Sequence, residues 1–73
     1  MSEEKTTIEM EWWGDEAEAI SDMNKFDVYI MIDKSTDEWS AEITGTKGEL
    51  FRYLGIMFEM DADMIEEEYP VLT

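Results

Sequence analysis

Phe26-Asp27-Val28-Tyr29-Ile30-Met31-Ile32-Asp33 alternates without a break. Phe26, Val28, Ile30 and Ile32 fall on one side and Asp27, Tyr29, Met31 and Asp33 on the other, the two-residue period of a strand with one face buried. The β-branched and aromatic side chains suit a pleated surface. Lys34-Ser35-Thr36-Asp37 is turn chemistry. Alternation then resumes from Glu38 to Thr44, with Trp39, Ala41 and Ile43 directed at the core and Glu38, Ser40, Glu42 and Thr44 directed outward. Two alternating runs about a short polar turn form an antiparallel hairpin.

Upstream, Thr6 to Trp13 carries the same signature, with Ile8, Met10 and Trp12 inward and Glu9, Glu11 and Trp13 outward, and Gly14 ends it. This third strand can lie beside either member of the hairpin. Asp15 can cap a short helix, with Glu18 three residues on and either Ala17, Ile20 and Met23 or Ala19 and Met23 as a narrow apolar stripe. Asp15 to Asn24 reads equally as an acidic loop, because Asp and Ser are poor inside helices.

Downstream, Gly45-Thr46-Lys47-Gly48-Glu49 reads as a loop feeding a helix, with Thr46 as N-cap and Glu49 completing a capping box. Leu50, Phe51, Leu54, Met57 and Phe58 then share one broad helical face. Gly55 lowers helix propensity by about 1 kcal/mol relative to Ala, and close approach to the sheet would explain it. Asp61 to Tyr69 holds a second helical piece, capped by Asp61 or Asp63, with Met64 and Ile65 inward and Pro70 as the stop. The expected fold is α+β: a three-stranded antiparallel sheet from residues 6–13, 26–33 and 38–44, covered on one face by a main helix at 47–59, with short accessory helices near 16–23 and 62–69.

The chain has 73 residues, enough for one domain at 6–73 behind a flexible tail at 1–5. It contains neither Cys nor His, so disulfides, the usual structural zinc sets and thiol redox chemistry are excluded. The core must hold alone, and three Trp, three Tyr, three Phe and seven Met supply its bulk. Met1-Ser2-Glu3-Glu4-Lys5 has no signal-peptide character, and nothing approaches about 18 uninterrupted apolar residues. A cytoplasmic protein is expected.

Twenty acidic residues against five basic ones leave a formal net charge of −15. Solubility needs a magnitude of only about 2–8 in a small domain, so the excess points to a positively charged partner. Lys5, Lys25, Lys34, Lys47 and Arg52 are scattered singly among acids. Direct nucleic-acid binding and anionic membranes are therefore disfavoured. Without His or Cys the commonest general base, metal ligand and thiol nucleophile are missing, and a paired-carboxylate hydrolase needs a cleft that so short a chain hardly provides. No catalytic residue, cofactor or metal is expected. Asp61-Ala62-Asp63 opens like a calcium loop, but the sixth and twelfth positions hold Glu66 and Leu72 where Gly and Glu are required.

The expected binding surface is the outer sheet face: Glu9, Glu11, Asp27, Asp33, Glu38 and Glu42, with Trp13, Tyr29 and Met31 as large anchors. Same-face residues along a strand lie about 6.6–6.8 Å apart, so neighbouring rows of carboxylates approach the charge density of a phosphate backbone. A second acidic group, Glu59, Asp61, Asp63, Glu66, Glu67 and Glu68, crowds the last quarter of the chain.

In size, charge and lack of catalytic residues the chain resembles the small acidic inhibitors of phages and mobile elements, the DNA-mimic anti-restriction and anti-CRISPR proteins. The resemblance implies a non-catalytic inhibitor that presents carboxylates in place of phosphates to a basic nucleic-acid-binding protein or nuclease in the host cytoplasm. Two other readings stay open: an immunity protein or antitoxin that neutralises a basic nuclease toxin, and an acidic adaptor subunit of a larger complex. A charge of −15 per subunit favours a monomer over a dimer.

Overall fold

The computed structural model describes residues 4–72. Strand β1 spans Lys5–Glu11, helix α1 Glu16–Lys25, strand β2 Tyr29–Asp33, strand β3 Ser40–Thr46, helix α2 Lys47–Met57 and helix α3 Ala62–Glu68, followed by a 3-10 turn at Pro70–Leu72. The fold is α+β, with a three-stranded antiparallel sheet in the order β1-β3-β2. The expected tail at 1–5 falls mostly outside the described residues, as does Thr73, but Lys5 already belongs to β1, opposite Thr46.

The hairpin expected from the two alternating runs is present, and β1 joins it on the far side of β3, which becomes the central strand. Ile43 stands opposite both Ile8 and Ile30, and Ala41 opposite both Met10 and Ile32. The inward sides of all strands therefore meet in register.

The segment from Asp15 is a helix rather than a loop. Asp15 Oδ1 accepts the Glu18 backbone N–H at 2.9 Å, Glu16 and Glu18 lie in the first turn and Lys25 in the last, so charge and dipole agree at both ends. The helix also runs past residue 23, and this shortens the following strand. The Phe26 N–H closes the last helical turn on the Asp22 carbonyl at 2.9 Å, so residues 26–28 lie outside the ladder, and pairing begins with Tyr29 opposite Thr44.

Strand β3 is displaced towards α2: it runs 40–46, not 38–44, and Glu38 lies in the connector. Gly45 and Thr46 end the strand rather than forming a loop, and α2 starts at once, its N-cap Thr46 Oγ1 accepting the Glu49 N–H at 3.2 Å. Gly45 sits at a close approach. A Cβ there would stand 3.1 Å from Val28 Cγ1 and 3.2 Å from the Asp27 carbonyl. Strand β1 likewise stops at Glu11 instead of Trp13.

Helix α2 ends at Met57, two residues before the expected 59, because Glu59 takes a left-handed conformation (φ 54°) that cannot continue the helix. The chain folds back there, with the Met60 N–H reaching the Leu54 carbonyl at 3.4 Å. The group nearest a Cβ at Gly55 is the Met60 carbonyl, 3.7 Å away, so the approach at Gly55 is to this returning chain and not to the sheet. Helix α3 is capped by Asp61, whose Oδ1 accepts the Met64 N–H at 2.8 Å, while Asp63 sits in the first turn. It ends at Glu68, with Tyr69 as the C-cap.

The core gathers Ile8, Trp12, Ile30, Ala41 and Ile43 from one side of the sheet and its ends with Phe26 and Val28, and adds Ala19 from α1, Leu50, Tyr53 and Leu54 from α2, Ile65 from α3, and Leu72. Met10, Ile32, Trp39, Phe51 and Phe58, expected inside, are half-buried at its margin. Met57 and Met64, expected to pack, are exposed instead, and of the two stripes open to α1 the buried one is Ala19 with half-buried Met23, leaving Ala17 and Ile20 in solvent. In α2 the buried positions are Leu50, Tyr53 and Leu54, a narrower stripe than expected that turns Met57 towards solvent. Tyr53 is fully enclosed, its ring edge-on to Phe26 at 5.1 Å and to Phe58 at 5.6 Å. Its hydroxyl donates to Asp22 Oδ2 at 2.8 Å, which accounts for the one acidic side chain buried among the described residues.

Candidate partner-binding surface

Pairing register places the outward residues in rows across the sheet. Thr7, Thr44 and Tyr29 form one row, Glu9, Glu42 and Met31 the next, and Glu11, Ser40 and Asp33 the third. The first row is tied by a 2.8 Å hydrogen bond between the Thr7 and Thr44 hydroxyls. Lys5, opposite Thr46, lies beyond it. Charge is therefore graded along the strands: neutral or basic near Lys5 and acidic near Glu11.

Of the residues expected to bind, Glu9, Glu11, Asp33, Glu42 and Met31 share the acidic part of this face, and Tyr29 borders it. Tyr29 and Met31 are both more than half exposed. Asp27 is exposed but precedes β2, beyond Tyr29 and away from Asp33, so it stands apart from the others. Glu38 is exposed in the β2–β3 connector and adjoins the acidic end.

Glu9 and Glu42 are directly opposite one another. Opposed residues in an antiparallel pair lie about 4.5–5.5 Å apart, and like charges so placed destabilise a sheet. Asp33 is stabilised as an anion. Its Oδ1 accepts the Ser35 N–H at 2.9 Å, and the Ser35 hydroxyl followed by that backbone bond holds the carboxyl below its ordinary range.

Trp13 follows the end of β1 and is 84% exposed, so it does not fold over a helix edge. An open cleft of about 320 Å³ lies between its segment and the β2–β3 connector, lined by Glu11, Trp13, Asp37, Glu38 and Trp39 among others. The walls are held together by the Trp12 N–H donating to the Trp39 carbonyl at 2.9 Å, one step beyond the β1–β3 ladder. The indole N–H of Trp12 is turned away, to the Asp15 carbonyl at 3.1 Å. Sequence reasoning missed Asp37 and Trp39 as parts of a site. Strand alternation assigned Trp39 to the core, and only the β1–β3 pairing brings it to Trp13.

The C-terminal acids are partly spent on local structure, since Asp61 caps α3. Among the described residues no cluster of His, Cys, Asp or Glu has the arrangement to hold a metal ion, and no helix is long and apolar enough to cross a membrane. No protein-family model, curated protein or solved structure matches this chain.

Proposed function

We propose that this is a non-catalytic acidic binding protein that occupies the cationic groove of a nucleic-acid-binding protein or nuclease, its carboxylates standing where phosphates would stand. The observation that carries this reading is the acidic end of the outer sheet face. There Glu9 and Glu42 sit in register beside Glu11 and Asp33, next to exposed Met31 and Trp13. Like charges opposed across a ladder cost stability, and a face serving solubility alone has no need to oppose them. Glu9 and Glu11, about 6.6–6.8 Å apart along β1, and Glu42, about 5 Å from Glu9 across the ladder, approach the charge density of a nucleic-acid backbone.

The mechanism is occupancy. A net charge of −15 steers the protein to a positive groove, and the exposed aromatic and Met side chains slow its release once water is expelled around them. Such a partner belongs to the cytoplasm, where nucleic-acid-processing enzymes meet their substrates.

The test immobilises the protein, passes cell lysate over it, and attempts to displace each retained protein with duplex DNA and with salt. The expected result is a retained nucleic-acid-binding protein that DNA displaces, whose binding falls as salt rises, and which is lost when Glu9, Glu11, Asp33 and Glu42 are all changed to Gln. Retained proteins that ignore both DNA and the Gln substitutions would overturn the reading.

A further inference from the structure

The cleft between Trp13 and Trp39 is chemically distinct from the flat acidic face beside it. Its volume of about 320 Å³ lies at the lower end of the roughly 300–1,000 Å³ range of ligand pockets, with room for one long side chain. Its lining combines indole rings with the carboxylates of Glu11, Asp37 and Glu38. An indole face attracts cations through its quadrupole, and carboxylates at the margin accept their N–H groups.

From this geometry we infer that the Trp13–Trp39 cleft is a receptor for one arginine side chain of a basic partner protein. The inference rests on the reading of the neighbouring face as a surface for a cationic partner, and it names the residue type that anchors there. Within the chain itself Lys34 Nζ stands 5.1 Å from the centroid of the Trp39 ring while pairing with Glu16, so this indole already draws a cation. Guanidinium fits the cleft better than ammonium does. It is flat, stacks on an indole, is weakly hydrated, and keeps its N–H edge free for a carboxylate fork, whereas ammonium is a compact and strongly hydrated point charge.

The cleft is also held in shape before any guest arrives. The Trp12 N–H to Trp39 carbonyl bond fixes the separation of the two segments. In the connector the Thr36 hydroxyl donates to the Glu38 carbonyl at 2.6 Å, and Ser35 is tied to Asp33. A receptor whose walls are already ordered loses less on binding.

The experiment uses the whole protein and needs no identified partner. The blocked tripeptide acetyl-Gly-Arg-Gly-amide is titrated while NMR follows the indole N–H signals, with the lysine and citrulline tripeptides as comparisons. Citrulline keeps the shape of arginine without its charge. The expected result is a saturable shift of the Trp13 and Trp39 signals, with the citrulline peptide and the Trp13→Ala variant each binding roughly two- to fivefold more weakly. Trp13 is exposed, so its removal leaves the fold intact, which an unchanged thermal melt verifies; Glu38→Gln is a second variant expected to weaken binding without altering the cleft's shape. Equal binding of all three peptides, or shifts confined to the Glu9 and Glu42 amides, would overturn the assignment. Equal binding of lysine and arginine alone would overturn the choice of guanidinium. If the tripeptide is ignored while DNA still displaces a retained protein, the cleft fails and the phosphate-mimic reading survives; the opposite pattern rejects the mimic and keeps the arginine receptor.

Discussion

The Tyr53 hydroxyl reaches Asp22 Oδ2 inside an apolar cluster, so each group supplies the hydrogen bond that the other could not obtain from water. Removing one partner should cost more than the bond is worth, because the other stays buried and unsatisfied. Tyr53→Phe keeps the edge-on ring contacts with Phe26 and Phe58 and is expected to destabilise by about 1–3 kcal/mol. At roughly 4–8 °C per kcal/mol for a domain of this size, calorimetry should read the loss plainly. Adding Asp22→Asn should recover part of it, since a neutral amide is cheaper to bury than a carboxylate. A Tyr53→Phe variant that melts with the parent would show the bond to be dispensable. The same pair contributes to the loss of stability at alkaline pH. Burial first, then the hydrogen bond to Asp22 and its charge, push the Tyr53 hydroxyl far above its ordinary range. In the unfolded chain it ionises near pH 10. Its contribution is thus complete below about pH 10 and is lost as pH rises above that value, because only the unfolded chain can release the proton. Burial and the charge of Glu68 push Tyr69 in the same direction. Urea midpoints measured from about pH 9 to about pH 11 should fall, and fall less steeply for Tyr53→Phe than for the parent. Identical slopes would remove Tyr53 as the cause.

At the scale of the element, α2 ends on a residue that its sequence does not favour. Glu59 holds φ 54°, a conformation that costs an L-residue roughly 1–2 kcal/mol and that Gly adopts freely. Glu59→Gly is therefore expected to stabilise by about 1 kcal/mol, raising both the melting temperature and the urea midpoint. No gain would mean that contacts of the Glu59 side chain repay the strain. The sequence shows why this end is hard to find: the apolar spacing Leu54, Met57, Phe58 continues past the last helical residue, and no Gly marks the stop. Elements with a strict period were legible. Ile8, Ile30 and Ile43 alternate with outward-facing neighbours, and all three meet in register on the buried side. The alternation misleads where one residue serves two elements. Phe26 alternates like a strand residue, yet its N–H is spent on α1; Gly45 looks like a loop residue, yet it is buried in β3, where a Cβ would crowd Val28 and the Asp27 carbonyl. The place of β1 could not be read at all, since both hairpin strands offer the same alternation.

At the scale of the whole molecule, the acidic face was legible because it is written into period-two alternation, whereas the Trp13–Trp39 cleft was not, since it exists only once β1 pairs with β3. The burden that this face places on the fold can be measured. A formal charge of −15 is confined within a radius of gyration of 12.0 Å. The Debye length is about 30 Å at 0.01 M ionic strength and about 3 Å at 1 M, so at low salt every carboxylate feels the others and at high salt only its neighbours. Salt also weakens attractions, but the ion pairs Lys34–Glu16 and Arg52–Glu49 are exposed enough that each is worth only about 0–1 kcal/mol. Self-repulsion should win, and the melting temperature is expected to rise steadily with sodium chloride. Glu42 is the position that localises the effect, because it lies between Glu9 on β1 and Met31 on β2. Glu42→Lys replaces an opposed like-charged pair with an opposite-charged one, a change worth roughly 0.2–1 kcal/mol relative to a neutral pair. It should raise the melting temperature most at low salt and flatten its salt dependence. The same substitution should weaken capture of a cationic partner, so stability and binding move in opposite directions from a single residue. A melting temperature that stays flat or falls with added salt, or a Glu42→Lys variant that gains nothing at low salt, would mean that the carboxylates lie too far apart to oppose one another, and the argument for a phosphate-like face would lose its physical basis.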